Sequence, residues 1–424
     1  MDAHSNDFTE CGVVSPVGTY DLTIPPSIRF GWGRLQELPE VVLGLGKRLL
    51  LVVGRTSFIA SGAERIICQA LTEAAIDWKV VATSTSEPTV AEVAAAARGI
   101  AAEDLSDAVV VAIGGGATID LAKAAAALAA NIDARHLPQD QDDWEVTVVD
   151  HLEGVGRQLP IRCAPPPLVA IPTTAGTGAE ATRNAVISCP RRGFKKSMRS
   201  PLMVPRAVIV DPQLTRSAPA RVTAASGLDA ITQLIESYVS RAATSVTRLL
   251  AASALAGAMR ALPVVVQTAG ADDPVGEHER AAREAMCHAS LLSGIALANS
   301  GLGMAHGVAP ALGIACGASH GEACAVMLPA AVRVNLEQEA SSYAELERRM
   351  HVAAPREDHA AAAAFLERVE KLCDAVGVPR RLSELGVEPS MIRWLTEHSG
   401  GNSMRGNPVP MTPETLTPVL ESLL

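Results

Sequence analysis

The sequence predicts an α/β N-terminal half built on a doubly wound parallel sheet, followed by an all-α C-terminal half. In the first half, short continuous apolar runs alternate with Ala-rich helical patterns, as expected for parallel strands covered on both faces. From about residue 219 onward the β runs cease and only helical patterns follow. The 424 residues are 48% apolar and 19% charged, enough for two packed domains, and at 3% aromatic content the core must be filled by Ala, Val and Leu. The division falls between residues 1–217 and 218–424.

Strands are predicted over residues 49–53, 79–83, 108–113, 168–171 and 207–210, with helices over 63–75, 90–102 and 119–130 between them. Residues 131–166 hold Pro, Asp and Gln without periodicity and predict a long surface excursion. Helices are expected over 220–242, 246–261, 277–298, 322–337 and 360–376. Net charge is −10 with no long basic run, which argues against nucleic acid and anionic membrane as partners. The most apolar region, 249–267, is broken by Arg260 and Pro263, so no uncharged stretch reaches the ~18–20 residues of a membrane span. Residues 1–10 are acidic and polar and lack the features of a signal peptide. Eight cysteines without C-x-x-C spacing predict reduced, mostly buried thiols and a cytoplasmic protein. Cys316 and Cys324 lie near a pair of histidines and are read as small core residues.

Four segments carry chemistry. After the strand at 108–113 come Gly114, Gly115 and Gly116, then Ala117, Asp120 and Lys123. Glycines leaving a strand and entering a helix let the backbone approach a pyrophosphate at the helix N-terminus. Asp120 and Lys123, three apart on one helix face, fit a local ion pair equally well. After the strand at 168–171, Thr173, Thr174, Gly176, Thr177 and Gly178 offer hydroxyls and N–H groups to phosphate or ribose. Asp229, Gln233 and Glu236 share one helix face amid apolar neighbours, where a carboxylate needs a partner or a metal. Last, His306 and His320 are each followed by glycine in apolar surroundings. Two histidines with a distant buried Asp make a divalent-metal site plausible.

Together these segments resemble the iron-dependent, or group III, alcohol dehydrogenase family of the dehydroquinate-synthase-like superfamily. The matches run in order from Ile28-Arg-Phe-Gly31-Trp-Gly33, through Glu87-Pro-Thr-Val, Ser200-Pro-Leu-Met-Val-Pro-Arg and Asp211-Pro212, to Ser293-Gly-Ile-Ala-Leu-Ala-Asn-Ser-Gly-Leu302-Gly and Leu328-Pro329-Ala-Ala-Val-Arg-Val-Asn335. The resemblance implies a Rossmann-like NAD(P) domain, an all-α metal domain and an active site in the cleft between them. Catalysis would rest on Asp229, His306 and His320, which would hold Fe²⁺ or Zn²⁺. The cofactor would meet Gly54, Arg55, Gly114, Gly115, Gly116, Ala117, Asp120, Thr173, Thr174, Thr177 and Lys195. A small alcohol or aldehyde substrate and a homo-oligomer, dimer or larger, are also implied.

Three departures from the family pattern stand out. The remaining metal histidine, four residues after the Asp, is Gln233 here, a weaker and harder ligand. The histidine commonly found four residues beyond the first cleft histidine is Pro310, so the proton would leave through water or a ribose hydroxyl. Where NAD-preferring relatives place a ribose-binding Asp, this chain has Gly54 followed by Arg55, which leans the cofactor toward NADP(H). Lys195 or Lys196 falls where relatives place a cofactor-contacting lysine, although 191–196 also reads as a basic turn. The leading expectation is a metal-assisted NAD(P)-dependent alcohol dehydrogenase or aldehyde reductase. The alternatives are a metal-independent oxo-acid reductase of the maleylacetate reductase type and a dehydroquinate-synthase-like lyase.

Overall fold

Among the described residues the strands are β1 (Ile28–Phe30), β2 (Arg48–Gly54), β3 (Asp77–Ser84), β4 (Ala108–Gly114), β5 (Leu168–Pro172), β6 (Asn184–Cys189), β7 (Phe194–Arg199) and β8 (Ala207–Val210). The structure, a computed structural model, describes residues 19–132, 140–271 and 274–424. The acidic N-terminal stretch, Cys11 and residues 133–139 of the expected excursion lie outside these. Six strands form a parallel sheet in the order β1-β8-β5-β4-β2-β3. Alternate side chains supply its two cores. Leu50, Val52, Val110, Ala112 and Ala170 pack under the helices Val90–Ala101 and Gly116–Asn131, while Leu49, Leu51, Val111, Ile113 and Ile171 pack on the side of Ala63–Glu73. Two buried faces are why these strands read as unbroken apolar runs.

The expected excursion is in part a helix. Gln141–Asp150 is capped by the Asp140 carboxylate, which accepts from Asp143 N at 2.9 Å, and it buries Trp144, Val148 and Val149 in the first of those cores. Its apolar residues recur at helical spacing inside an Asp-rich segment that reads as loop. The basic turn at 191–196 is the tip of an antiparallel hairpin, β6–β7. There Ala185, Ile187 and Cys189 are buried alternately with half-buried neighbours, a two-residue period rather than an apolar run.

Beyond β8 the chain is helical, with long helices at Ala220–Val239, Ser245–Gln267, Glu277–Ser300, Met304–Cys316, His320–Asn335 and Asp358–Val376. Arg260 and Pro263 do not break the second of these. By length and composition Ser245–Gln267 could cross a membrane, but Leu255, Ala258, Leu262 and Val265 pack it into the helical core. Burial on both sides of Pro263 outweighs the one backbone hydrogen bond that proline removes. Gly307, Pro310 and Gly313 hide Met304–Cys316 from a propensity reading in the same way. The two halves meet at Gly178 (φ +60°) and Gly294, where a Cβ on either residue would overlap the other's backbone. This seam seats the loop after β5 on the helix Glu277–Ser300, and Gly176 and Thr177 of the same loop meet Ser226 and Gln233 on the helix that carries Asp229.

Candidate active site

The chain runs from β2 outward to β3, then returns to β4 on the other side of β2. The sheet therefore has its switch point between β2 and β4, the crevice where nucleotides bind in such sheets. Gly54 and Gly114 end these two strands side by side, and a Cβ on Gly54 would lie 3.6 Å from Gly114 Cα while overlapping Ser57 Oγ. A side chain at Gly114 would overlap Thr118, and one at Gly116 would overlap Thr177. The helix Gly116–Asn131 starts at Gly115 with no side-chain cap, and while Thr118 N donates to Gly115 O at 3.0 Å, the N–H groups of Gly116 and Ala117 face the crevice for an anion. On the far side of β4 from the crevice, Thr173 N, just after β5, donates to Gly114 O at 2.9 Å. Thr173 Oγ1 is buried without a partner, an orphaned hydroxyl that a bound dinucleotide could satisfy. Thr174 Oγ1 would be 3.4 Å from a Cβ on Gly115. Arg55 is exposed at the rim.

Asp120 is placed differently from a free cofactor ligand. Its Oδ2 accepts from Val186 N at 2.9 Å and its Oδ1 lies 3.1 Å from Lys123 Nζ, pinning the hairpin to the helix. Lys123 is fully buried and also donates to Ala179 O at 2.8 Å and Thr182 Oγ1 at 2.9 Å. Lys195 on β7 turns inward and pairs with Glu87 at 2.6 Å. Lys196, its neighbour on the strand, is exposed.

On the helical side, Asp229, His306, His320 and Cys324 bring one ligand atom each to within 4.8 Å of one another. Asp229 Oδ1 is 3.1 Å from His306 Nε2 and 3.7 Å from His320 Nε2. Burial pushes the Asp229 carboxyl up, but the His320 and His306 rings outweigh it and hold the group below the usual carboxylate range. Burial pushes His320 down to about 4. It also opposes charge on His306, but Cys324, Asp229 and Glu236 hold that ring well above its ordinary value, so a cation arriving there displaces a proton.

Glu236 fixes the first histidine. Its carboxylate takes His306 Nδ1–H at 2.7 Å, Gly303 N at 2.9 Å and Ala305 N at 2.7 Å, at the start of Met304–Cys316. That hydrogen bond holds the Nδ1 proton, so the proton a metal displaces is the one on Nε2, which faces Asp229. The carboxylate also lies at the favourable end of the helix dipole. Gln233 is engaged elsewhere: its Oε1 accepts from Ser293 Oγ at 2.6 Å, and its Nε2 donates to Thr177 O at 3.4 Å. It thus joins the metal side of the cleft to the cofactor loop. Pro310 lies one turn beyond His306 in the same helix.

A buried carboxylate, two neutral imidazole nitrogens and a second carboxylate behind one of them make a donor set for a divalent cation, facing a dinucleotide crevice. Residues 25–212 match the family model for iron-containing alcohol dehydrogenase, and residues 223–424 match the model for the C-terminal region of the Fe-containing alcohol dehydrogenase family. The chain belongs to the iron-containing alcohol dehydrogenase family. Alcohol dehydrogenase 4 of Saccharomyces cerevisiae is 29% identical to it over 399 residues, 94% of this chain and 97% of that protein. The NAD-dependent methanol dehydrogenase of Bacillus methanolicus is 29% identical over 409 residues, 95% and 99% of the two chains. Among solved structures, a 1,3-propanediol oxidoreductase superposes with a TM-score of 0.84 at 27% identity, covering 96% of this chain and all of that one. The protein is therefore an oxidoreductase with an Asp/His/His metal site and the two-part fold of that family.

Two contributors were hidden in the sequence. Glu236 shares the helix face of Asp229, but nothing in its spacing says that it meets a histidine seventy positions on. Cys324 stands one helical turn after His320. That i, i+4 spacing is the available signal, although in apolar surroundings a cysteine also fits a core position.

Proposed function

We propose that this enzyme interconverts a small, fairly apolar alcohol and its aldehyde with NAD(P)(H). The observation that carries the reading is the convergence of Asp229, His306 and His320, with Glu236 fixing the imidazole, beside a glycine crevice with an orphaned threonine hydroxyl. Asp229, His306 and His320 would hold Fe²⁺ or Zn²⁺, which would supply Lewis acidity toward a substrate oxygen, while a bound nicotinamide would supply the hydride chemistry. The residues of the chain do the rest. Gly114, Gly115, Gly116 and Ala117 cradle the pyrophosphate, and Thr173, Thr174 and Thr177 bind the nicotinamide half. Lys195, turned inward on β7 and paired with Glu87, orients the dinucleotide. With Pro310 unable to relay a proton, the hydroxyl proton passes to water or a ribose hydroxyl.

NADP(H) is accepted at least as well as NAD(H) on this reading, because Gly54 presents no carboxylate to a 2′-phosphate and Arg55 stands at the rim to pair with one. The NAD-dependent relative marks the competing outcome. The family likeness also supports a homo-oligomer, dimer or larger, working in the cytoplasm, in keeping with seven free cysteines among the described residues.

A metal-independent reductase of oxo acids is favoured by one feature, the engagement of Gln233 with Ser293. A reductase screen of short aldehydes and oxo acids, with NADH and NADPH and with and without added Fe²⁺ or Zn²⁺, separates the readings. Aldehyde turnover that requires metal supports the proposal. Turnover confined to oxo acids and indifferent to metal supports the rival.

A further inference from the structure

We infer that Cys324 is the fourth protein ligand of the metal, occupying the coordination position that Gln233 leaves open. The inference rests on the metal reading above and concerns only which side chain completes the site.

Three observations carry it. Cys324 is fully buried, and its sulfur belongs to the same cluster of ligand atoms as Asp229, His306 and His320. Its Sγ lies 3.8 Å from His320 Nε2. Bonds of about 2.0–2.3 Å in a tetrahedral site put neighbouring ligand atoms roughly 3.3–3.6 Å apart, and the 3.1, 3.7 and 3.8 Å separations here bracket that range. The other ligand-atom pairs lie within 4.8 Å, so closing the set takes side-chain movements of up to about 1 Å. Second, His320 and Cys324 open the same helix one turn apart, a spacing that puts two ligands on one face. Third, the Gln233 amide oxygen is taken by the Ser293 hydroxyl, so the glutamine holds the cleft together.

The chemistry that follows differs from that of an Asp/Gln/His/His set. A thiolate is a soft donor and shifts preference away from Fe²⁺ toward Zn²⁺ or another thiophilic divalent cation. Two anionic and two neutral ligands also neutralise the ion, which lowers its Lewis acidity relative to a site with one carboxylate.

The test loads the full-length protein with Co²⁺ and reads its absorption. The expected result is one bound cobalt per chain, with visible ligand-field bands and a near-ultraviolet thiolate-to-cobalt charge-transfer band. Cys324→Ser should remove the charge-transfer band, retain the ligand-field bands, and weaken cobalt binding beyond the roughly 10–100-fold that loss of an outer partner costs. Gln233→Ala should keep the band. Cobalt bound to the parent protein without the charge-transfer band would overturn the assignment while leaving the metal reading intact, as would a large affinity loss in Gln233→Ala with none in Cys324→Ser. Failure of the parent to bind cobalt would overturn both. Should Cys324→Ser not fold, X-ray absorption of the zinc-loaded parent decides: a sulfur neighbour at about 2.3 Å supports the ligand, and a shell of nitrogen and oxygen alone refutes it.

Discussion

Replacing Glu236 by Gln changes one oxygen to an amide nitrogen in a buried pocket that holds three donors. In the parent, Oε2 accepts from His306 Nδ1 and Gly303 N, and Oε1 accepts from Ala305 N. The amide can keep its oxygen toward the first two only by turning its NH₂ against Ala305 N. The opposite rotamer strands two donors instead of one. The cheaper arrangement leaves one buried donor unsatisfied, at about 1–3 kcal/mol, and loses a negative charge at a helix N-terminus, worth roughly 0.3–1 kcal/mol. Destabilisation of about 1–4 kcal/mol should follow, a fall in melting temperature of a few degrees for a chain of this size. The weaker hold on the imidazole should reduce metal affinity by roughly 10–100-fold. Thermal unfolding of the metal-free protein gives the first quantity, competition with a metal-binding dye gives the second, and dinucleotide Kd should stay constant. If Glu236→Gln melts and binds metal like the parent, the carboxylate does not fix His306.

Other changes test neighbouring parts of the account. Lys195→Ala should raise the cofactor Kd or lower kcat, whereas Lys196→Ala, at an exposed position, should match the parent; equal effects would contradict the inward turn of Lys195. Gly116→Ala should weaken dinucleotide binding with metal content unchanged, because the new methyl group overlaps Thr177; titration by nicotinamide fluorescence reads it. Burial raises the Glu180 carboxyl from 4.5 to about 7. A raised acid keeps its proton longer in the folded state, so its contribution is fully present below pH 4.5 and is lost as pH climbs through 7. The loss amounts to about 3 kcal/mol, and Glu180→Gln should flatten denaturant stability between those values.

The outline of the fold was legible because its strands are buried on both faces, as at Leu49–Val53, and because apolar periodicity marks the long C-terminal helices. What escaped was set by tertiary packing. The hairpin of β6 and β7 has only one buried face, and Met304–Cys316 carries two glycines and a proline that local propensity counts against a helix. In the site, motif spacing brought Asp229, His306 and His320 into view as ligand types. It could not reveal that Glu236 orients His306, that Ser293 holds Gln233, or that Asp120 is paired with Lys123 and β6. Those are contacts across long sequence separations, and each residue reads locally as an ordinary member of its helix.

Activity and dinucleotide binding of exhaustively chelated protein, verified metal-free by elemental analysis, test the central claim most directly. Asp229, His306 and His320 lie on the helical side, while the glycine crevice lies on the sheet. Metal removal should therefore abolish turnover and leave the Kd for NADPH and NADH nearly unchanged, with activity restored by Fe²⁺ or Zn²⁺ and not restored in His306→Ala. Full turnover by the verified metal-free protein would contradict the account and transfer the reaction to side chains alone.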